Sequence, residues 1–484
     1  MKPHYTRIRK VKTHSGSTAI QVGIYQGKRF KLSKHIGSSK DQQKISELIT
    51  IAGEYIRSHN PQTELNFNPQ SEEILFKRGL RIAESRLQEA YDYLCHTYSE
   101  IGFSRIDSEI LKHFAMIRVL EPASKLKSIM LLEKYFGIRY RKTTIFRELT
   151  GLINLKEDVI RIAIKYARNN LNFDFSLVFY DVTTLYFETN RADEFRKNGF
   201  SKDNKINQPQ ILIGLVVNNT GFPIYYDIFK GNTFEGKTII PVILEIRKKY
   251  QISKFTVIAD AGMLSRENLT ELKMHNIDYV VGARIGSMNI NVIRNIAGEL
   301  SQTDKKIIRK DDILFEYSKT RAVKDKSDND RQIEKAKYYL NNPSKIMKRS
   351  KFLSNPDNKI FRLNKSLVEK YRLLEGMKGY KTNIDNLPGE LLISRYKDLW
   401  KIEQSFRIAK SDLEARPIYH RKKSSIEYHI LIVFIALCMG RVIEMEKRES
   451  IRKVMDNLKD KWTILLKDEI SGNSVKLLLD KIPH

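Results

Sequence analysis

Two apolar strands that each carry a single carboxylate constrain this chain more than any other feature. Ser176-Leu177-Val178-Phe179-Tyr180-Asp181-Val182-Thr183-Thr184-Leu185-Tyr186-Phe187 reads as a buried strand interrupted by one acid. Phe255-Thr256-Val257-Ile258-Ala259-Asp260 reads as a second such strand, ending on its acid. An ionised carboxylate among apolar neighbours is costly unless something compensates it, and a bound divalent cation does so well. A third acid, Glu403, lies in a helical segment rich in basic and aromatic residues. Two Asp on neighbouring strands and a Glu on a flanking helix can hold two cations roughly 3.5–4 Å apart, the arrangement that supports in-line displacement at phosphorus.

The order of elements around these acids is informative. After the Asp181 strand come strands at Gln210 to Val217 and Ile224 to Phe229, then a helix from about Thr238 to Tyr250 and the Asp260 strand. A helix from Ser265 to about His275 and a strand from Asp278 to Arg284 follow. Three antiparallel strands, then helix, strand, helix, strand, is the order of a ribonuclease H-like mixed sheet. In it the first and fourth strands are neighbours, so Asp181 is expected beside Asp260.

The expected fold class is therefore α/β, a ribonuclease H-like mixed sheet core with additions. Residues 1–60 form a small basic N-terminal β-module, 72–170 a helical domain, and 171–285 the first part of the core. Residues 286–388 form an insertion, 389–445 the second part of the core with the Glu403 helix, and 446–484 a C-terminal helical tail. Ser58 to Gln62 and Asn68 to Ser71 read as a linker from their Asn, Pro, Gln and Ser content. In the N-terminal module, Ala19 to Tyr25 alternates in the β manner, Gln26-Gly27 reads as a turn, and Lys28 to Leu32 as the return strand. In the helical domain Pro122 is expected to open a helix after Leu120-Glu121.

Charge narrows the partners. Lys and Arg number 86 against 57 acids, a net charge of +29, which points to a polyanion, nucleic acid above all. The N-terminal module reads either as a DNA-gripping arm or as a solvated charged hairpin. The short helices carrying Lys125, Lys127, Arg139, Arg141 and Lys142 suit a second DNA-binding module or a plain scaffold. Two distant cysteines, Cys95 and Cys438, form no CxxC pair, fit a reducing compartment and argue against zinc. No apolar run opens the chain, and the longest apolar stretch, Ile430 to Met439, reads as a buried helix. A cytoplasmic, nucleoid-associated protein without a membrane partner is expected.

On the Glu403 segment, Tyr396, Glu403 and Lys410 stand seven residues apart each way, two helical turns, and so share a face, with Arg407 at i+4 from Glu403. Trp400, Ile402 and Phe406 form the side that packs on the sheet. An acid flanked by Tyr, Arg and Lys suits a cation held beside phosphates; a surface Glu403–Arg407 pair is the simpler alternative. No HExxH, paired CxxC or G-x-S-x-G occurs, His420-Arg421 does not supply a tyrosine-recombinase set, and no histidine is assigned to catalysis.

These residues resemble the DDE transposases of bacterial insertion sequences, in the subgroup with a β-rich insertion between the second Asp and the Glu. The resemblance covers roughly residues 170 to 440. Asp181-Val182-Thr183 resembles the first acid, Gly231-Asn232-Thr233-Phe234-Glu235 the turn after the third strand, and Asp260-Ala261-Gly262-Met263 the second acid. The Tyr, Arg, Glu, Lys signature of the subgroup falls on Tyr396, Leu399, Glu403 and Lys410; Leu399 departs from it, so Arg395 or Arg407 would have to supply that contact. Arg416-Pro417-Ile418-Tyr419-His420 also resembles the family. The resemblance implies cut-and-paste transposition, with Asp181, Asp260 and Glu403 binding two Mg²⁺ or Mn²⁺ ions. Tyr396, Arg407, Lys410 and Arg416 would hold DNA. The partners would be double-stranded DNA (terminal inverted repeats and target) and a second copy of the chain in a homodimer.

Two other readings remain. Gly231 to Thr238 fits G-x-x-x-x-G-K-T between a strand and a helix, the pattern of a P-loop ATPase, although Phe234 and Glu235 are ill suited to a loop that wraps phosphates. A catalytically inactive DNA-binding protein would keep the basic modules on a dead core.

Overall fold

The computed structural model describes residues 6–26, 29–59, 80–199, 207–252, 254–263, 265–343, 350–354, 361–468 and 473–480. The chain forms two compact units, Met1–Arg81 with Lys467–Asn473, and Ile82–Leu466 with Ser474–His484.

In the first unit, β1 (Thr6–Lys12), β2 (Thr18–Gln26) and β3 (Arg29–Ser39) form an antiparallel sheet in that order. Helix Gln42–His59 lies on it and closes a small core of Ile20, Val22 and Ala52. Gln26 pairs with Arg29, and Gly27 and Lys28 lie outside the described residues, as does nearly all of the expected linker.

The second unit is built on an eight-stranded sheet. Its members are β5 (Val178–Tyr186), β6 (Gln210–Val217), β7 (Pro223–Lys230), β8 (Thr256–Ala259), β9 (Asp278–Ala283), β10 (Ile307–Lys310), β11 (Ile313–Tyr317) and β14 (Met377–Thr382). The order is β10-β11-β14-β9-β8-β5-β6-β7. β5, β6 and β7 run antiparallel, while β5–β8 and β8–β9 are parallel. Between β11 and β14, the short strands β12 (Leu353–Ser354) and β13 (Arg362–Leu363) form a two-stranded sheet among the described residues. All eight residues of β6 and all four of β8 are buried. That burial is why the central strands read as continuous apolar runs.

Helix Lys423–Lys447 is the spine of the unit. By length and composition it could cross a membrane, yet 94% of its apolar window is buried in the fold. It contacts β7 on one side, where Phe434 meets Tyr226 at 4.8 Å, and helix Glu109–Leu120 on another. The helices of 88–170 thus share one hydrophobic core with the sheet; they are a layer of the same body and not a separate domain. Residues 72–79 of the expected helical domain lie outside the described residues.

Four further expectations are corrected. Pro122 does not open a helix: helix Glu109–Leu120 ends before it, and Ser124 caps helix Lys125–Phe136 by accepting from the Lys127 amide. Residues 286–388, expected as a β-rich insertion, hold more helix than strand among the described residues. Their strands β10, β11 and β14 extend the central sheet, and helices Ile290–Leu300, Lys319–Asn341 and Lys365–Leu373 pack beside them. The tail is not all helical: after helix Ile451–Lys459 come β15 (Lys461–Asp468) and β16 (Ser474–Asp480), in a sheet of order β16-β15-β4 with β4 at Leu80–Arg86. The expected single Glu403 helix is two helices, Gly389–Lys397 and Trp400–Arg407, followed by a π-helical turn at Ile408–Asp412.

Candidate active site

The parallel pairing of β5 with β8 sets Phe179 opposite Ile258. Continuing that register brings Asp181 level with Asp260, which stands one residue beyond the end of β8. Each carboxylate accepts from the amide of the next residue, Asp181 from Val182 and Asp260 from Ala261, both at 2.7 Å. These short contacts orient the acids before anything binds.

The Glu403 helix lies across β5 and β6. Ile402 and Phe406 bury its inner side, each contributing on the order of 1.5–3 kcal/mol. Glu403 lies exposed on the outside. Trp400, expected on the packing side, is instead 54% exposed, because the helix starts there after the break. The alternative Glu403–Arg407 pair does not form; Arg407 instead reaches Asp412 at 3.1 Å across the π turn. That bond engages one end of an Arg407 guanidinium whose side chain stays 53% exposed.

The shared helical face of Tyr396, Glu403 and Lys410 dissolves with the break, yet Tyr396 still faces the acids. Its hydroxyl donates to Asp260 Oδ1 at 3.5 Å. Burial, then Asp260, then Glu403 push its phenol up out of the ordinary range, so it stays a neutral donor. Room for the hydroxyl comes from Gly282 on β9, where an added Cβ would stand 2.8 Å from Tyr396 Oη. Lys410 sits in the π turn and lines a cavity with Thr183 and Leu185, residues on Asp181's face of β5. Arg416 lies over the Tyr186 ring at 5.6 Å, at the end of the same strand. Leu399 is buried, and Arg395 is half-buried.

Sequence reasoning missed Lys378. On β14, its ammonium stands 4.8 Å from the centre of the Tyr396 ring and 5.3 Å from that of Tyr380. Burial lowers its pKa, Arg321 and Lys397 lower it further, and Glu316 and Asp260 oppose them. A cation therefore reaches the Tyr396–Asp260 pair from a strand more than a hundred residues after Asp260. The alternation Lys378-Gly379-Tyr380 was a usable signal, since it sets both side chains on one face.

Asp181 and Asp260 are brought together by the strands and Tyr396 joins them, but Glu403 remains on its own helix. Among the described residues, no three His, Cys, Asp or Glu side chains stand close enough together to hold a metal ion as they are. The donor set is all oxygen, which fits a hard divalent cation.

The Gly231–Thr238 segment is not a phosphate loop. The amides of Thr233, Lys237 and Thr238 donate to the carbonyls of Lys230, Phe234 and Glu235, so they do not converge on an anion. Thr238 is fully buried and its hydroxyl bonds Tyr180 and the Glu235 carbonyl. Gly231 is a glycine for a local reason: a Cβ there would stand 2.0 Å from the Gln210 carbonyl oxygen.

No curated protein matches the chain. Among solved structures, the chain is similar to the crystal structure of the Mos1 mariner paired end complex with Mn. The match has 14% identity, covers 50% of this chain and 78% of that one, and has a TM-score of 0.16. A family model described as a transposase DDE domain matches residues 172–439. Since that match spans more than half of the chain and takes in every strand of the central sheet together with the Glu403 helix, the chain belongs to the DDE transposase family and is a DNA transposase.

Proposed function

We propose that this transposase moves an insertion sequence by cut-and-paste chemistry, with Asp181, Asp260 and Glu403 as ligands of two divalent cations, Mg²⁺ or Mn²⁺. The observation that carries the reading is the pairing of β5 with β8, which sets two strand-borne acids level at one end of the sheet. When bound, the cations would activate water and then a DNA 3′-OH and stabilise the leaving oxygen. The chain's own groups orient what they hold. Tyr396 donates to Asp260 and steadies that carboxylate, while Lys378 over the Tyr396 ring keeps a positive charge beside it. Lys410 and Arg416, at successive points along β5, would take phosphates flanking the scissile bond.

In this reading the chain belongs to the Tyr-Arg-Glu-Lys subgroup, with Leu399 in place of the arginine. It acts on terminal inverted repeats and target DNA as a homodimer on the nucleoid, in the cytoplasm. The test is substitution of the acids. Asp181→Asn, Asp260→Asn and Glu403→Gln are each expected to abolish cleavage of the element's own ends, while gel shifts show near-wild-type DNA binding, because affinity resides mainly in Lys and Arg elsewhere. Wild-type cleavage by any one of the three removes that residue from the site.

A further inference from the structure

A second basic site lies where the helical layer meets the core helix. Arg118, on helix Glu109–Leu120, and Lys125, the first residue of helix Lys125–Phe136, are each 5% exposed. Lys125 Nζ is 2.8 Å from His429 Nδ1 and 3.0 Å from His420 Nε2. The other His429 nitrogen, Nε2, is 3.1 Å from the Ala415 carbonyl oxygen, so Nε2 carries the proton and Nδ1 accepts from Lys125. Arg118 Nη1 reaches the Leu413 and Glu414 carbonyls, both at a long 3.4 Å. Glu414 also acts on Arg118 through space, but among the described residues no carboxylate comes within ion-pair distance of Arg118 or Lys125.

Buried cations with no carboxylate in ion-pair contact, and only the exposed Glu414 acting on one of them from a distance, are costly and are retained where something negative visits them. Burial, with Arg118 next, pushes the Lys125 ammonium down. Burial, with Lys125 and Arg118 next, holds His420 down at about 3. Such mutual suppression is what an anion would relieve. The four groups line a cleft of about 100 Å³ that also includes Ser124, Pro417, the exposed Glu414 and Tyr419, the last 68% exposed and so at its rim. The Ile418 amide donates to the Tyr186 carbonyl at 3.0 Å, which ties the segment beside the cleft to the strand that carries Asp181. Five residues along a strand separate Asp181 from Tyr186, roughly 16 Å at about 3.3 Å each.

We propose that this cleft seats one phosphodiester of the DNA backbone, with Arg118 and Lys125 as its cationic partners and Tyr419 at its rim, a few nucleotides along from the scissile bond. A guanidinium beside an ammonium gives a phosphate both a fork of donors and a point charge. The proposal rests on the reading of the chain as a DNA-acting enzyme, and the experiment separates the two.

Binding of the full-length protein to a short duplex of arbitrary sequence is measured across a salt series for wild type, Lys125→Met and Tyr419→Glu. Removing the neutralisation of one phosphate makes the log–log salt slope shallower by about 0.9, which is about fivefold weaker binding at 0.15 M salt. Both variants are expected to show that change, with Lys125→Met melting at or above the wild-type temperature because a buried cation has gone. Tyr419→Glu changes an exposed position, so it keeps the test alive should Lys125→Met fail to fold. Wild-type slopes in both variants would overturn the proposal. So would wild-type slopes together with a melting-temperature rise in inorganic phosphate that Lys125→Met abolishes, since the cleft would then take a free phosphate and not the DNA backbone. Failure of the wild type itself to bind duplex DNA would instead sink the DNA-acting reading, and this proposal with it.

Discussion

Gly282→Ala tests what Tyr396 does at the site, and the double variant with Tyr396→Phe separates that from the lighter crowding of Ala261. Gly282 lies opposite Tyr380 in the β9–β14 pairing, and its backbone is not among the positive-φ glycines, so alanine meets no backbone strain there. Only space is contested. The new Cβ would stand 2.8 Å from Tyr396 Oη and 3.1 Å from Ala261 Cβ, where ordinary contact begins at 3.4 Å, so the hydroxyl must retreat by about 0.6 Å and Ala261 by about half that. Its bond to Asp260 is already 3.5 Å and would break. A 1 Å misplacement of a positioning group costs on the order of a hundredfold in rate, so a retreat of about 0.6 Å should cost on the order of tenfold. Stability should change little, because a strain-free Gly→Ala gains about 0.4–1 kcal/mol from the unfolded chain, which offsets the crowding. The assay is single-turnover cleavage of the element's ends by Gly282→Ala, Tyr396→Phe and the double variant, with thermal melting alongside. If alanine acts through Tyr396, the double variant should be no slower than the slower single. Wild-type cleavage by Gly282→Ala, or fully additive losses in the double variant, would refute the reasoning.

Lys237→Ala should leave cleavage intact and indifferent to ATP, because the Gly231–Thr238 amides are turned to their own carbonyls; nucleotide-dependent turnover that disappears in that variant would revive the ATPase. Removal of residues 1–60, with 12 Lys or Arg against 3 acids, should weaken DNA binding and flatten its salt slope, by about 0.9 for each phosphate no longer neutralised. An unchanged slope would make the module a solvated hairpin. Burial lowers His113 to about 4 and His420 to about 3, so the folded chain refuses protons that the unfolded chain takes up near 6.5. Their contribution to stability is therefore complete above pH about 6.5 and lost as pH falls toward 4 and 3, with urea midpoints falling across that window. A flat midpoint from pH 7 to 4 would show that these histidines are not held neutral.

The central sheet is legible in the sequence because β5 to β9 are apolar runs bounded by turn residues, and their observed ends fall within two residues of those expected. The neighbourhood of Asp181 and Asp260 follows from element order alone. The Glu403 segment misleads because heptad spacing assumes one continuous helix. Its own apolar spacing says otherwise. Tyr396, Leu399 and Ile402 are buried at steps of three, the spacing of a tight turn, and the Leu399 and Ile402 amides donate to Tyr396 and Leu399 at 3.0 and 3.2 Å. Ile408 and Leu413 are buried five apart, and the Leu413 amide donates to the Ile408 carbonyl at 2.9 Å across the π turn. Leu399 is thus a core residue, which accounts for a leucine where the resemblance wants an arginine. Residues 286–388 are opaque for another reason. β14 pairs with β9 from about a hundred residues away, and no local pattern announces a partner that distant.

That distant pairing bears directly on the chemistry. Glu316 on β11 is 8% exposed and is held by Lys397 at 2.6 Å and by the Tyr380 hydroxyl at 2.9 Å. Tyr380 in turn meets Tyr396 edge to face at 5.0 Å, and Tyr396 donates to Asp260. Lys397 closes helix Gly389–Lys397, one residue beyond Tyr396 and just before the break that leads to Glu403. The nearly buried Glu316 carboxylate is held on one oxygen by Lys397 and on the other by Tyr380, so the Glu316–Lys397 pair pins this helix end to β11. The strands inserted after β9 therefore set where Tyr396 stands relative to Asp260 from one side, while Gly282 admits it from the other. The segment between the second acid and the third is in this way part of the support of the site, and the helix break lets one stretch of chain serve both the sheet edge and the Glu403 face.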